Sequence, residues 1–178
     1  MKTKFNQRKI KLAIASAIIA AGAAGLSATS YAATDTATMA VTTSVSMSCT
    51  ITAGAMTFAS YDPTDAADND ANATITSTCT AGGAAVITMG QGDRSRSGST
   101  DAIPLRAMYS GGDDGEYLLY ELYSDSAGGT AWGNTSATGK AITADGTAQD
   151  FTAYGRIPKN QTVSSGSFSD TVQVTLTY

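Results

Sequence analysis

The chain has 178 residues, 15 acidic side chains against 11 basic ones, and no histidine. Without histidine there is no Ser-His-Asp or Cys-His catalytic arrangement and no histidine-based zinc site. The acid excess repels phosphate backbones, which argues against nucleic acid as a partner.

The first 32 residues have the layout of a secretory signal. Lys2, Lys4, Arg8, Lys9 and Lys11 precede an apolar run from Leu12 to Leu26, and small residues follow at Ser30-Tyr31-Ala32-Ala33. A retained membrane anchor needs about 20 apolar residues, and this run has fifteen, many of them Ala and Gly. Cleavage is expected after Ala32, with Ala33 the next choice, leaving no membrane span. Five of the eleven basic residues leave with the signal, so six remain against fifteen acidic and the formal charge becomes −9. The 146 residues that follow are enough for one domain with its own core. Of the basic residues left, only Lys140 and Lys159 are lysines. Both lie among Gly, Thr and Asn, a poor setting for a desolvated amine base. No catalytic residue is assigned, and an enzyme is not expected.

Period-two alternation predicts the strands, and no segment has helical spacing. The first candidate is 36–49, in which Met39, Val41, Thr43, Val45 and Met47 point one way and Ala40, Thr42, Ser44 and Ser46 the other. Further candidates are 72–79, 84–89, 103–109, 117–123, 151–157 and 170–178. Polar connections are expected at 62–72, 90–101, 110–116 and 124–147, with the Gly-Gly-Asp-Asp-Gly run at 111–115 a turn. About seven short strands bounded by Gly, Asn, Asp and Pro turns describe an all-β, immunoglobulin-like sandwich. Cys49 and Cys79 are the only cysteines. In an exported chain the expectation is one disulfide, closing a loop with 29 residues between them, worth about 3–4 kcal/mol. A pair of metal thiolates would lack further soft ligands.

The two ends of the chain carry the functional signal. The last strand runs to the C-terminal residue, with Val172, Val174, Leu176 and Tyr178 alternating against Thr171, Gln173, Thr175 and Thr177. Such a strand has no successor. With its free side at a sheet edge, it presents unpaired N–H and C=O groups beside apolar side chains, a template for another strand. Residues 36–47 are a strand of that kind, alternating, free of Pro and Gly and almost uncharged. Burying four such side chains contributes on the order of 6–10 kcal/mol before ordering costs. Periodicity alone favours 36–47 as the first strand of its own sandwich.

Four motifs in register resemble the spore coat protein U domain family, the major subunits of archaic chaperone–usher pili of Gram-negative bacteria. They are Ser48-Cys49-Thr50-Ile51 with the second cysteine in Thr76-Ser77-Thr78-Cys79; Leu119-Tyr120-Glu121-Leu122-Tyr123-Ser124-Asp125 followed by Thr130-Ala131-Trp132-Gly133; Tyr154-Gly155-Arg156-Ile157-Pro158; and the stretch from Gly166 to Tyr178. One departure is Phe168, where the family more often has Tyr. The resemblance implies an immunoglobulin-like domain lacking its last strand and completed by donor-strand complementation. In that scheme 1–32 is the signal peptide, 33–47 the donor strand and 48–178 the incomplete domain. A periplasmic chaperone lends a strand beside the C-terminal strand, and an outer-membrane usher exchanges it for the N-terminal segment of the next subunit. Met39, Val41, Thr43 and Val45, with Ala37, are then donor residues, and Val172, Val174, Leu176 and Tyr178 border the acceptor groove. The contact is head-to-tail between identical subunits, ending on a tip subunit, and propagates as a filament. The product is an extracellular pilus for adhesion and biofilm formation, with no cofactor, no metal and no catalysis. The alternative is a self-contained secreted coat or carbohydrate-binding sandwich.

Two further features have competing readings. Asp62, Asp65, Asp68 and Asp70 suggest Ca²⁺, but their spacing is not that of an EF-hand, and a solvated acidic loop is the simpler expectation. Trp132 with Tyr120, Tyr123 and Tyr154 suggests a sugar platform, against which stands the ordinary aromatic core of a sandwich.

Overall fold

The computed structural model describes residues 32–111 and 115–178, and these contain no helix. The expected signal lies outside them except for Ala32, as does the middle of the glycine-rich turn. The chain divides into two compact units, one ending at Thr42 and one running from Thr43 to Tyr178. Within the first, residues 32–42 are exposed and form no strand.

The second unit is an antiparallel sandwich of eight strands: β1 (Cys49–Ala53), β2 (Asn69–Cys79), β3 (Ala84–Met89), β4 (Arg106–Tyr109), β5 (Tyr117–Tyr123), β6 (Lys140–Thr143), β7 (Ala148–Ile157) and β8 (Val174–Thr177). One sheet has the order β1-β2-β7-β5-β4 and the other β6-β3-β8. Strands expected at 72–79, 84–89, 117–123 and 151–157 are present, the first and last of them longer than expected at their N-terminal ends. The candidate at 36–49 is displaced: no residue before Cys49 is in a strand, and pairing begins there. Alternation marks a segment able to pair, but pairing also needs an edge to pair with. β6 lies inside the stretch expected to be a loop, because only Ile142 of its four residues is a large apolar side chain turned inward.

Side chains from the two inner faces meet in a core of Ile75, Ile87, Leu118, Leu122, Trp132 and Ile157. β2 and β7 run in register over ten residue pairs, from Asn69 opposite Ile157 to Thr78 opposite Ala148. On their outer face Arg156 makes two 2.7 Å hydrogen bonds to Asp70, its cross-strand partner, and lies 3.4 Å from Asp68. These hydrogen bonds hold the Asp70 carboxyl below the usual carboxylate range. The remaining acidic side chains of that loop cap their own turns: Asp62 accepts from the Thr64 amide and hydroxyl, and Asp65 from the Ala67 amide. Asp68 and Asp70 thus share Arg156 while Asp62 and Asp65 serve their own turns, and among the described residues no three metal-binding side chains converge.

Arg106 ties the sheets together. Its position in β4 faces inward, and it is 2% exposed. The guanidinium donates to the Gly90, Met89 and Trp132 carbonyls at 2.8, 2.9 and 2.8 Å. Burial pulls its pKa down to about 10, so it keeps its proton at neutral pH. Trp132, fully buried, donates its indole N–H to the Ile87 carbonyl at 2.8 Å, so its place is the core and not a surface platform. Tyr120 and Tyr123 are also buried.

Two strand ends are closed by loop residues. Beside Leu119, where β7 has already ended, the Gln161 side chain accepts from the Leu119 amide at 2.7 Å and donates to its carbonyl at 2.9 Å. On the far side of β4, Tyr109 exchanges main-chain hydrogen bonds of 2.9 and 3.1 Å with Ser169.

Cys49 and Cys79, directly opposite in the β1–β2 ladder, form the expected disulfide. Replacing both with alanine should lower the unfolding free energy by about 3–4 kcal/mol, read from denaturant midpoints; a loss below about 1 kcal/mol would show that the crosslink constrains little. Arg106→Leu should cost at least about 3 kcal/mol, because three inward carbonyls lose their donor, and a thermal melt like that of the parent would refute the tie.

Candidate functional site: an apolar groove beside the last strand

The groove begins with small residues on the inner face of the five-stranded sheet. Ala73 in β2 lies opposite Ala153 in β7, Ala71 lies opposite Gly155, and Ala53 of β1 faces Ile75. A sandwich core is normally filled by large side chains at these inward positions. Here a cleft of about 530 Å³ remains, floored by Ala53, Ala73, Ile75 and Ala153 and walled by Met56, Met108, Val172 and Val174. It continues past Met56, Phe58, Met108 and Phe168 into a second compartment of about 780 Å³ reaching Tyr61, Val163 and Gly166.

After β1 the chain crosses this space without forming a strand, and Met56 and Phe58 lean over the floor. A Cβ on Gly155 would overlap the Met56 sulfur and crowd the Phe58 ring, so only glycine leaves them that position. Phe58 meets Tyr120 edge-on, with ring centres 6.3 Å apart.

The opposite wall is β8 and its approach. β8 pairs with β3 through Val174 opposite Met89 and Leu176 opposite Ile87. In this antiparallel ladder alternate residues turn their main-chain groups to the same side. Asp93 donates to the Thr171 carbonyl at 3.1 Å and Gly90 to the Gln173 carbonyl at 2.8 Å, so the odd-numbered residues face β3. The amides and carbonyls of Val172, Val174 and Leu176 consequently face away, toward the groove edge. β8 is terminal in its sheet and β1 terminal in the other, and their Cα atoms approach within 8 Å. Among the described residues nothing pairs with that main chain, so the groove is an apolar slot with an open strand edge along one side.

Asp170 fixes the entry to this wall. It accepts the Tyr120 hydroxyl at 2.7 Å and the Arg94 amide at 3.1 Å. Burial first, and the hydrogen bond to Asp170 second, hold the Tyr120 phenol protonated far above its ordinary range. The hydroxyl is therefore a permanent donor in the groove wall.

The predicted border residues divide. Val172 and Val174 line the groove, and Leu176 packs on the core beside them. Tyr178 lies past the end of β8, 58% exposed, against a separate shallow depression with Ala84, Val86 and Ile142. Among the predicted donor residues Met39 and Val41, in the first unit, are 86% and 85% exposed. Val45, in the second, is 80% exposed, and Thr43 is exposed as well. Sequence reasoning did not find Met56, Phe58, Met108 or the Arg106 and Asp170 anchors. The first two lie in a stretch with no strand periodicity, but Arg106, a lone charge between Leu105 and Ala107-Met108, carries a legible signal of a buried donor.

Tyr120→Phe should leave Asp170 with one donor fewer, lower stability by about 1–2 kcal/mol, and speed amide exchange across 172–177. Unchanged exchange there would separate Asp170 from the order of β8.

Comparison with known proteins gives a consistent relationship. The profile of the Spore Coat Protein U domain matches residues 35–175. Over 178 aligned residues the chain is 38% identical to "Protein U" of Myxococcus xanthus, covering 95% of this chain and 98% of that protein. Among solved structures it is similar to a chain in the complex of the chaperone CsuC with the tip adhesion subunit CsuE, from archaic chaperone–usher Csu pili of Acinetobacter baumannii. That match has a TM-score of 0.55 and 17% identity; it covers 75% of this chain and 40% of the other, so this chain spans well under half the length of its structural neighbour. The sandwich is shared with that neighbour, and by the extent of the profile match and the identity to Protein U the chain is a member of the Spore Coat Protein U domain family.

Proposed function

We propose that this protein is a structural, non-enzymatic subunit of an extracellular chaperone–usher pilus and polymerises by donor-strand complementation. The observation that carries the reading is the open apolar groove, whose one side is the unpaired main chain of Val172, Val174 and Leu176. Residues 33–47 supply a strand of matching chemistry, with Met39, Val41, Thr43 and Val45 entering the groove of a neighbouring subunit. Val172, Val174 and Leu176 form the acceptor border, while Tyr178, expected to share it, lies beyond the ladder against a separate depression. Apolar side chains then fill the space above Ala53, Ala73 and Ala153, and a main-chain ladder pairs the free side of β8. A strand from a periplasmic chaperone occupies the groove first. An outer-membrane usher directs its replacement by the donor strand of the next identical subunit, and a tip subunit ends the series.

The pilus family and the sandwich it shares with the Csu chain support this assignment, as does a signal-like N-terminus that routes the chain through the periplasm to the cell surface. Because donor and acceptor are different surfaces, the contact is heterologous and grows as a fibre, for adhesion and biofilm formation. The work of such a subunit is mechanical, and no cofactor enters it.

Deleting residues 33–45 tests the reading in periplasmic expression with the neighbouring chaperone and usher. The full chain should give filaments in negative stain and ladders on unheated SDS gels, while the shortened chain stays as a stable 1:1 chaperone complex. If both fold as chaperone-free monomers, the sandwich is complete in itself and the self-contained coat or carbohydrate-binding reading replaces this one.

A further inference from the structure

Apart from Met1, the chain has five methionines: Met39, Met47, Met56, Met89 and Met108. Their placement is not scattered. Met56 and Met108 are half-buried and line both compartments of the groove. Met89 lines the first compartment but is 2% exposed. Met47 packs on the core at the root of the N-terminal segment, and Met39 sits on the proposed donor strand, 86% exposed. Two glycines make room for these sulfurs. A Cβ on Gly155 would overlap the sulfur of Met56, and one on Gly83 that of Met47. Both surfaces that must meet in strand exchange therefore carry thioethers, which adapt to irregular partners but are open to oxidation.

We propose that Met39, Met56 and Met108 form an oxidation-sensitive modification site, at which a two-electron oxidant of the peroxide or hypochlorous acid class arrests strand insertion. The inference rests on the donor-strand reading above. With hydrogen peroxide, the thioether sulfur attacks one peroxide oxygen; the S–O bond forms as the O–O bond breaks, and sulfur is oxidised by two electrons. The departing hydroxide takes the proton of the transferred oxygen and leaves as water, and the product is a neutral sulfoxide. Access sets the order of reaction: Met39 first, Met56 and Met108 next, and the buried Met89 last.

A sulfoxide replaces an apolar, pliable group by a polar, chiral one. The floor side chains Ala53, Ala73, Ile75 and Ala153 offer it no donor, and the Tyr120 hydroxyl in the wall is already committed to Asp170, which leaves only the Ser169 and Thr171 hydroxyls at the rim. Once an inserted strand has taken the free amides of β8, a sulfoxide oxygen held over that apolar floor loses its water without gaining a donor there, which opposes insertion. In an assembled fibre the same sulfurs are covered. Oxidation thus acts on Met39 at any time before assembly and on the groove sulfurs while the groove changes occupant, and spares subunits already joined.

The test uses the full chain co-purified with its periplasmic chaperone and carried through usher-driven exchange with hydrogen peroxide absent or present throughout, so that the groove is open to the oxidant while its occupant changes, followed by peptide mass mapping and by the rate of ladder and filament formation. Expected are one added oxygen on the peptides holding Met39, Met56 and Met108, at least tenfold slower assembly, and recovery after treatment with the two methionine sulfoxide reductases. The triple variant M39L/M56L/M108L should assemble at the same rate before and after peroxide. Should it not fold, reductase rescue of the parent chain decides the matter. Assembly at the unoxidised rate by chains carrying the three sulfoxides overturns the proposal and leaves the pilus reading intact. Failure of the unoxidised chain to assemble at all removes the pilus reading, and this proposal with it.

Discussion

Main-chain amides and carbonyls beside an apolar surface need partners, and β8 has partners on one side only. Most of what is distinctive in this fold follows from that constraint. A pair of sheets that filled its own core would place bulky side chains at the inward positions of β1, β2 and β7. At Ala53, Ala71, Ala73, Ala153 and Gly155 these strands carry alanine or glycine instead, and a cleft remains above them. The same residues that open the floor lie alongside the unpaired wall. The vacancy in volume and the vacancy in hydrogen bonding coincide, so one inserted strand satisfies both.

The rest of the domain is built to hold that opening in shape. Arg106 and Trp132 connect the end of β3 to β4 and to the turn after β5, with every guanidinium hydrogen bond going to a main-chain carbonyl. Tyr120 reaches from the floor to Asp170, at the start of the wall. The disulfide fixes β1 to β2 at the point where the N-terminal segment leaves the body. These anchors lie around the groove, so the slot is preformed; under the proposed strand exchange only the occupant would have to become ordered, which lowers the entropy lost on insertion.

Much of this was legible in the residues, for identifiable reasons. β2, β3, β5 and β7 alternate strongly because one face of each is buried, and period two is the direct trace of that burial. β6 was not legible, since Lys140-Ala141-Ile142-Thr143 has one large inward side chain and four residues are too few for a period to register. The segment 36–47 was legible as a strand by chemistry but not by partner, because alternation records a face to be buried and not the chain that will bury it. Val172, Val174 and Leu176 could be named from the terminal strand, while Tyr178 continues the pattern one step beyond the ladder. The floor escaped notice for a different reason. Ala53, Ala73, Ala153 and Gly155 matter for what they do not fill, and only the register of three strands brings those small residues together.

Two small closures described in the fold have a larger consequence. The Gln161 side chain occupies the hydrogen-bonding groups of Leu119 as a neighbouring strand would, and Ser169 does the same along β4. β6, the outer strand of the smaller sheet, is only four residues long. Strand edges left bare invite any extended chain, and a molecule with several of them gathers into branched or sheet-like aggregates. With these edges capped or short, the wall of the slot is the strand edge that stands beside an apolar groove. If subunits join along that wall, as proposed, a chain that is sticky along one line stays unreactive along the others, and material made from it would extend in a single dimension.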